Sequence, residues 1–120
     1  MTVNDIIKIL DGTALAGKDE LDKEVLTACG SDMMSDVLAF AKHQCVLLTG
    51  LCNPQVIRTA EMMDILCLVF VRSKKPTPEM IELAKEGGIV VMTTGHRMFT
   101  ACGLLYSHGL RGGADYERFY

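Results

Sequence analysis

The chain has 120 residues, a formal charge of −3, 49% hydrophobic and 22% charged residues. That length suits one domain spanning residues 1–120, and that balance suits a packed core rather than a disordered chain. The acidic balance leaves no basic footprint for nucleic acid. The longest apolar run, ILCLVFV at 65–71, is far too short to cross a bilayer. The first ten residues lack both the basic start and the cleavage site of a secretion signal.

The first element in chain order is a helix. Val3, Ile6, Ile7 and Leu10 recur at helical spacing, with Thr2 as cap, Asp5 in the first turn and Gly12 as terminator. TALAG follows as a short extended piece, and the charged turn KDELDKE leads to a strand around Val25–Cys29. A short helix is expected over Met34–Ala41, then a buried strand over CVLLT at 45–49. Asn53-Pro54 opens a helix that buries Val56, Ile57, Ala60 and Met63. LCLVFV at 66–71 is the next strand, and Thr77-Pro78 starts another helix with Glu79 and Glu82 near its positive end. Gly87-Gly88 stops it, IVVMT at 89–93 is a further strand, and His96–His108 a last helix closed by Gly109. Residues 110–120 have no periodicity and read as a tail.

Strands apolar on both faces, alternating with helices of about three turns, point to an α/β three-layer sandwich. Its sheet is expected to be mainly parallel, with four to five strands.

Five cysteines, an odd number with no Cys-x-x-Cys spacing, suit reduced thiols in a cytoplasmic protein and give no metal-ligand pattern. His43, His96 and His108 also lack metal spacing. GTALAGKD at 12–19 matches the first seven positions of a Walker A loop, but Asp19 stands where Ser or Thr would hold magnesium. The segment also follows a helix instead of a strand, so no nucleotide hydrolysis is expected from it.

Leu21-Asp22-Lys23-Glu24-Val25, Ser31-Asp32, Thr49-Gly50 and the run from Pro78-Glu79 through Thr93 occur in an order and spacing that resemble the DRTGG domain. Behind it stands the similar N-terminal domain of HPr kinase/phosphorylase. The resemblance covers roughly residues 3 to 110. The literal string Asp-Arg-Thr-Gly-Gly is absent, Lys23 stands where relatives commonly have Arg, and Arg72-Ser73-Lys74-Lys75 replaces a glycine-containing turn. The kinase chemistry of HPr kinase resides in a separate domain with its own P-loop, which these 120 residues do not contain. The resemblance therefore implies a regulatory or interaction module, not an enzyme, in a family whose members accompany CBS pairs or metabolic enzymes.

In a parallel sheet the loops beyond the carboxyl ends of the strands form the usual ligand edge. Ser31, Asp32, Thr49, Gly50, Asn53, Arg72, Thr93, Thr94 and His96 all fall there on this reading. Helix N-termini at such an edge favour a small anion or a nucleotide. Gly50 is expected in a left-handed turn. Cys52, near a helix N-terminus, is a candidate for a lowered thiol pKa. The expected function is a non-catalytic ligand-sensing module without a cofactor; the alternative is an interaction subunit of a metabolic or redox assembly. A homodimer is expected from the apolar content and the Met33-Met34 and Met62-Met63 pairs.

Overall fold

The computed structural model describes residues 1–41 and 44–113. The element order is α1 (Val3–Leu10), β1 (Thr13–Ala16), β2 (Thr27–Gly30), α2 (Met34–Phe40), β3 (Cys45–Thr49), α3 (Pro54–Met62), β4 (Cys67–Phe70), α4 (Pro78–Gly87), β5 (Val90–Thr93) and α5 (Met98–Ser107). The sheet runs β1-β5-β4-β3-β2. Strands β2 to β5 are mutually parallel, whereas β1 joins β5 antiparallel. The sheet is therefore mainly parallel, as its doubly apolar strands require. The orientation of β1 follows from its connection: α1 returns the chain to the carboxyl ends of the strands, where β1 begins with Thr13 opposite Thr93.

Strand side chains alternate between two cores. Leu47, Leu68, Phe70 and Val91 pack with Val37, Val56, Ile57, Ala60, Met80 and Ala84 of α2, α3 and α4. Val46, Leu48, Val69 and Met92 pack with Val3, Ile6 and Leu10 of α1 and with Ala101 and Leu105 of α5. Three layers result, helices on both faces of one sheet.

The helix starts obey their local chemistry. Thr2 and Asp5 form a reciprocal capping box. Asn53 accepts from the Val56 N–H, Thr77 accepts from the Met80 N–H, and each is followed by Pro at the first helical position.

Several boundaries differ from expectation. Asp11 with φ 50°, not Gly12, takes the left-handed position that ends α1. The second strand begins at Thr27, two residues later than Val25. Met63 is only half-buried and lies just past α3. The last helix starts at Met98, so His96 precedes it in the loop. Residues 110–113 are docked: Leu110 is buried, and the Ala28 N–H donates to the Arg111 carbonyl at 3.0 Å, extending the sheet beside β2. His43 and residues 114–120 lie outside the described residues.

Candidate functional site

The register brings the expected edge together. Gly30 pairs with Leu48, Thr49 with Phe70, and Phe70 with Thr93, so the four parallel strands end in nearly one row. Thr49 and Thr93 stand on the same edge, and the loops carrying Ser31-Asp32, Gly50-Asn53, Arg72-Lys74 and Thr94-His96 leave from it.

The turn after β3 is closed by the protein's own carboxylate. Asp32 Oδ1 accepts from the Gly50 N–H at 2.6 Å and from the Thr49 hydroxyl at 3.1 Å. Thr49 Oγ1 in turn accepts from the Leu51 N–H at 3.1 Å, and Asn53 Oδ1 from the Val56 N–H at 3.2 Å. The N–H groups of Gly50, Leu51 and Val56 are thus occupied from within. Thr49-Gly50 is a turn closed by a side-chain carboxylate.

Gly50 is not in the left-handed region, contrary to expectation. Its lack of a side chain serves a close approach instead: an added Cβ would lie 2.6 Å from Arg72 Nη2. The Arg72 guanidinium therefore rests over the Gly50 backbone. Left-handed backbone occurs at Arg72 and Ser73, with φ 59° and 57°. Two successive non-glycine residues in that region cost about 1 kcal/mol or more each. Tertiary bonds hold them there. The Arg72 N–H donates to the His96 carbonyl and the Ser73 N–H to the Thr94 carbonyl, both at 2.8 Å, while the Thr93 hydroxyl donates to the Lys74 carbonyl at 2.8 Å. The loop after β4 is laced to the loop after β5.

The nine expected residues divide by what their polar atoms already do. Ser31 Oγ accepts from the Met33 N–H at 3.0 Å, Asn53 caps α3, and the buried Thr94 hydroxyl donates to the Leu10 carbonyl at 2.6 Å. Thr93 is engaged with Lys74, while Thr49 and Gly50 are engaged with Asp32. Arg72 is exposed, His96 is half-exposed, and the side chains of both are without an ion-pair partner among the described residues. Lys74 is exposed beside them in the same loop. The sequence reading missed Ser73, whose left-handed backbone aims the loop; nothing in its residue type signals that conformation.

Cys52 does not have the lowered pKa expected of it. Burial pushes its thiol up, and the field of Lys74 offsets only part of that. Burial likewise raises Cys29 and Cys102. None of the five cysteines is disulfide-bonded. Among the described residues no three His, Cys, Asp or Glu side chains converge to hold a metal, and no helix is long and apolar enough to cross a membrane.

The Walker-like segment has the wrong form. Thr13–Ala16 is the antiparallel edge strand β1, and Gly17, at φ 75°, packs against Val90, where an added Cβ would approach Cγ2 to 2.9 Å. Its glycine serves strand packing, and no helix follows the loop to receive phosphate. A cavity of about 180 Å³, lined by Met1, Glu24 and His108, lies away from the strand-end edge, and one of about 130 Å³, lined by Gly30, Leu48, Cys102 and Tyr106, lies beside the end of β2.

Residues 5–107 match the DRTGG domain model, and the chain belongs to the DRTGG domain family. A solved structure of the CBS and DRTGG domains from the regulatory region of Clostridium perfringens pyrophosphatase, complexed with its activator diadenosine tetraphosphate, has the same fold. The TM-score is 0.70 at 22% identity, over 87% of this chain and 45% of that one. This chain therefore spans less than half of that regulatory region. Comparison with curated proteins gives no match.

Proposed function

We propose that this chain is a non-catalytic regulatory module that senses a small anionic metabolite or nucleotide at the carboxyl edge of its sheet. The observation that carries this reading is Arg72. Its guanidinium is exposed, unpaired among the described residues, and seated over Gly50 by a left-handed backbone that three hydrogen bonds to the neighbouring loop maintain. Strained backbone held in place by tertiary bonds, presenting a planar cation, is suited to bidentate recognition of phosphate or carboxylate. His96 and Lys74 stand on the two laced loops, where Lys74 adds a second positive charge and His96 a ring nitrogen able to hydrogen-bond. The family supports a regulatory role, and the activator of the pyrophosphatase region makes nucleotides the first class to test. The burial-raised thiols of Cys29, Cys52, Cys67 and Cys102 suit a reducing cytoplasm, where the module would act.

A thermal-shift panel of inorganic phosphate, acetyl phosphate, adenine nucleotides and diadenosine tetraphosphate tests this. A ligand at 100 times its dissociation constant adds about 2.7 kcal/mol, a shift on the order of 10 °C for a domain of this size. The response is expected to vanish in Arg72→Gln. A panel without any shift overturns the reading.

A second reading, an interaction subunit without a small ligand, is favoured by α2. Only Val37 of that helix is buried, whereas Leu38 and Phe40 are 47% and 67% exposed and the preceding Met33 61%. Such a surface fits a protein partner.

A further inference from the structure

We propose that the cavity between the end of β2 and α5 holds the base of a nucleotide whose phosphate is bound by Arg72; this rests on the anion site proposed above and supplies its other half. The cavity measures about 130 Å³. An apolar cavity of about 150 Å³ takes up benzene, so this volume suits one planar ring. Ala28, Leu48, Leu105 and Leu110 give it apolar walls. Arg111 fixes the outer wall. Its guanidinium lies 3.9 Å from the centroid of the Tyr106 ring and donates to the Tyr106 and Leu110 carbonyls.

Gly30 supplies the polar contacts that a base requires. It stands opposite Leu48, and the next N–H, that of Ser31, donates to the Leu48 carbonyl at 3.0 Å. In a parallel ladder successive residues turn their N–H and C=O to opposite sides, so those of Gly30 point away from β3 to the outer edge. Ala28 points the same way, and its N–H is taken by the Arg111 carbonyl at 3.0 Å. No described residue continues that pairing to Gly30, which is exposed. A donor and an acceptor therefore stand side by side at the cavity. A strand partner would meet both at once. A nucleobase does so with the edge of its ring, since adenine sets an amino donor beside a ring-nitrogen acceptor. The lack of a side chain keeps this approach open: a Cβ on Gly30 would lie 2.7 Å from Cys102 Sγ, and Gly30 has no positive φ that calls for glycine.

The spacing joins the cavity to Arg72. Leu48 lines the cavity, and Gly50, over which the Arg72 guanidinium rests, follows two residues later. Two residues of extended chain span about 7 Å. A ribose bridges a gap of that order between a base and its phosphate.

Adenosine monophosphate and ribose 5-phosphate, titrated calorimetrically into the wild-type chain, test this. The nucleotide should bind at least ten-fold more tightly, because only it carries a base. At saturation it should also slow the alkylation of Cys102 by iodoacetamide ten-fold or more, read by peptide mass spectrometry. Cys29 is the control. It is also half-buried, with its thiol raised by burial as that of Cys102 is, but it packs on the opposite face of the sheet. Gly30→Val pushes Cys102 into the cavity and should reduce the nucleotide to the affinity of ribose 5-phosphate, with the unliganded melting temperature reporting the fold. If that variant does not fold, the protection of Cys102 in the wild type decides. Equal affinity for the two ligands, or equal protection of Cys29 and Cys102, overturns the base site and leaves the anion site standing. Nucleotide binding that Arg72→Gln leaves unchanged overturns the placement of the phosphate, and the proposal with it. No binding of either ligand overturns both the base site and the anion site.

Discussion

Asp32 Oδ1 accepts a hydrogen bond from the Gly50 N–H at 2.6 Å, so the loop after one strand supplies the anion that closes the turn after the next. The same oxygen takes the Thr49 hydroxyl. Asp32 therefore clamps the turn, and on the proposed function it would also compete with a negative group drawn to Arg72.

Asp32→Ala should separate these two effects. Losing a charge-assisted acceptor from a backbone donor and a buried hydroxyl should lower stability by about 1–3 kcal/mol, read from the urea midpoint. The freed Gly50 N–H and the removed negative charge should at the same time enlarge the thermal shift with inorganic phosphate. A variant that is destabilised and no more responsive to phosphate would assign Asp32 a structural role alone.

Gly50→Ala tests the close approach of Arg72. The obstacle to a Cβ is the far end of a flexible side chain at 2.6 Å, and Gly50 has no positive φ to lose. Stability should therefore change by about 0.5 kcal/mol or less, the usual range for surface positions. The anion response should fall because the guanidinium is displaced. A large stability loss with an intact response would place the need for glycine elsewhere.

These two residues also mark what the sequence could and could not reveal. Asn53-Pro54 and Thr77-Pro78 announce their helices because a cap and its backbone donor lie three residues apart, and the periodic apolar positions of α1, α3 and α4 are equally local. The edge holding Thr49 and Thr93 follows from doubly apolar strands separated by helices. By contrast, Asp32 and Gly50 are 18 residues apart, and their bond depends on the β2–β3 register. Gly50 looks like a left-handed turn because glycine has two uses, positive φ and close approach, and only the position of Arg72 decides between them. The left-handed Arg72-Ser73 pair is invisible for the same reason: its support comes from the carbonyls of Thr94 and His96 on another loop. Cys52 looked activated from its place before a helix, but burial outweighs that position.

Thr27 offers a substitution that should stabilise. It is 4% exposed on the edge strand β2, and its hydroxyl has no hydrogen-bond partner among the described residues. A buried hydroxyl left unsatisfied costs about 1–3 kcal/mol. Thr27→Val keeps the shape and the β-branch that strands favour while removing that group. Chemical denaturation should show a gain of about 1 kcal/mol; a loss would mean that the hydroxyl is satisfied in solution.

Cys67 should make stability fall at alkaline pH. It lies fully buried at the start of β4, and burial pushes its thiol far above the usual range, with Cys45 adding to the shift. The sign follows from proton binding. Below the pKa of an unfolded thiol, about 9, both states are protonated and pH has no effect through this group. Above it the unfolded chain gives up the proton while the folded chain retains it, so the unfolded state gains. Stability should then fall by up to about 1.4 kcal/mol per pH unit from this cysteine, and the loss continues until the raised folded pKa is reached. Cys67→Ala should lower stability at neutral pH by leaving a small cavity, yet make the profile from pH 9 upward shallower. Urea midpoints of the two proteins measured across that range check it. Parallel alkaline slopes would show that the buried thiol is not the group whose ionisation unfolds the sheet.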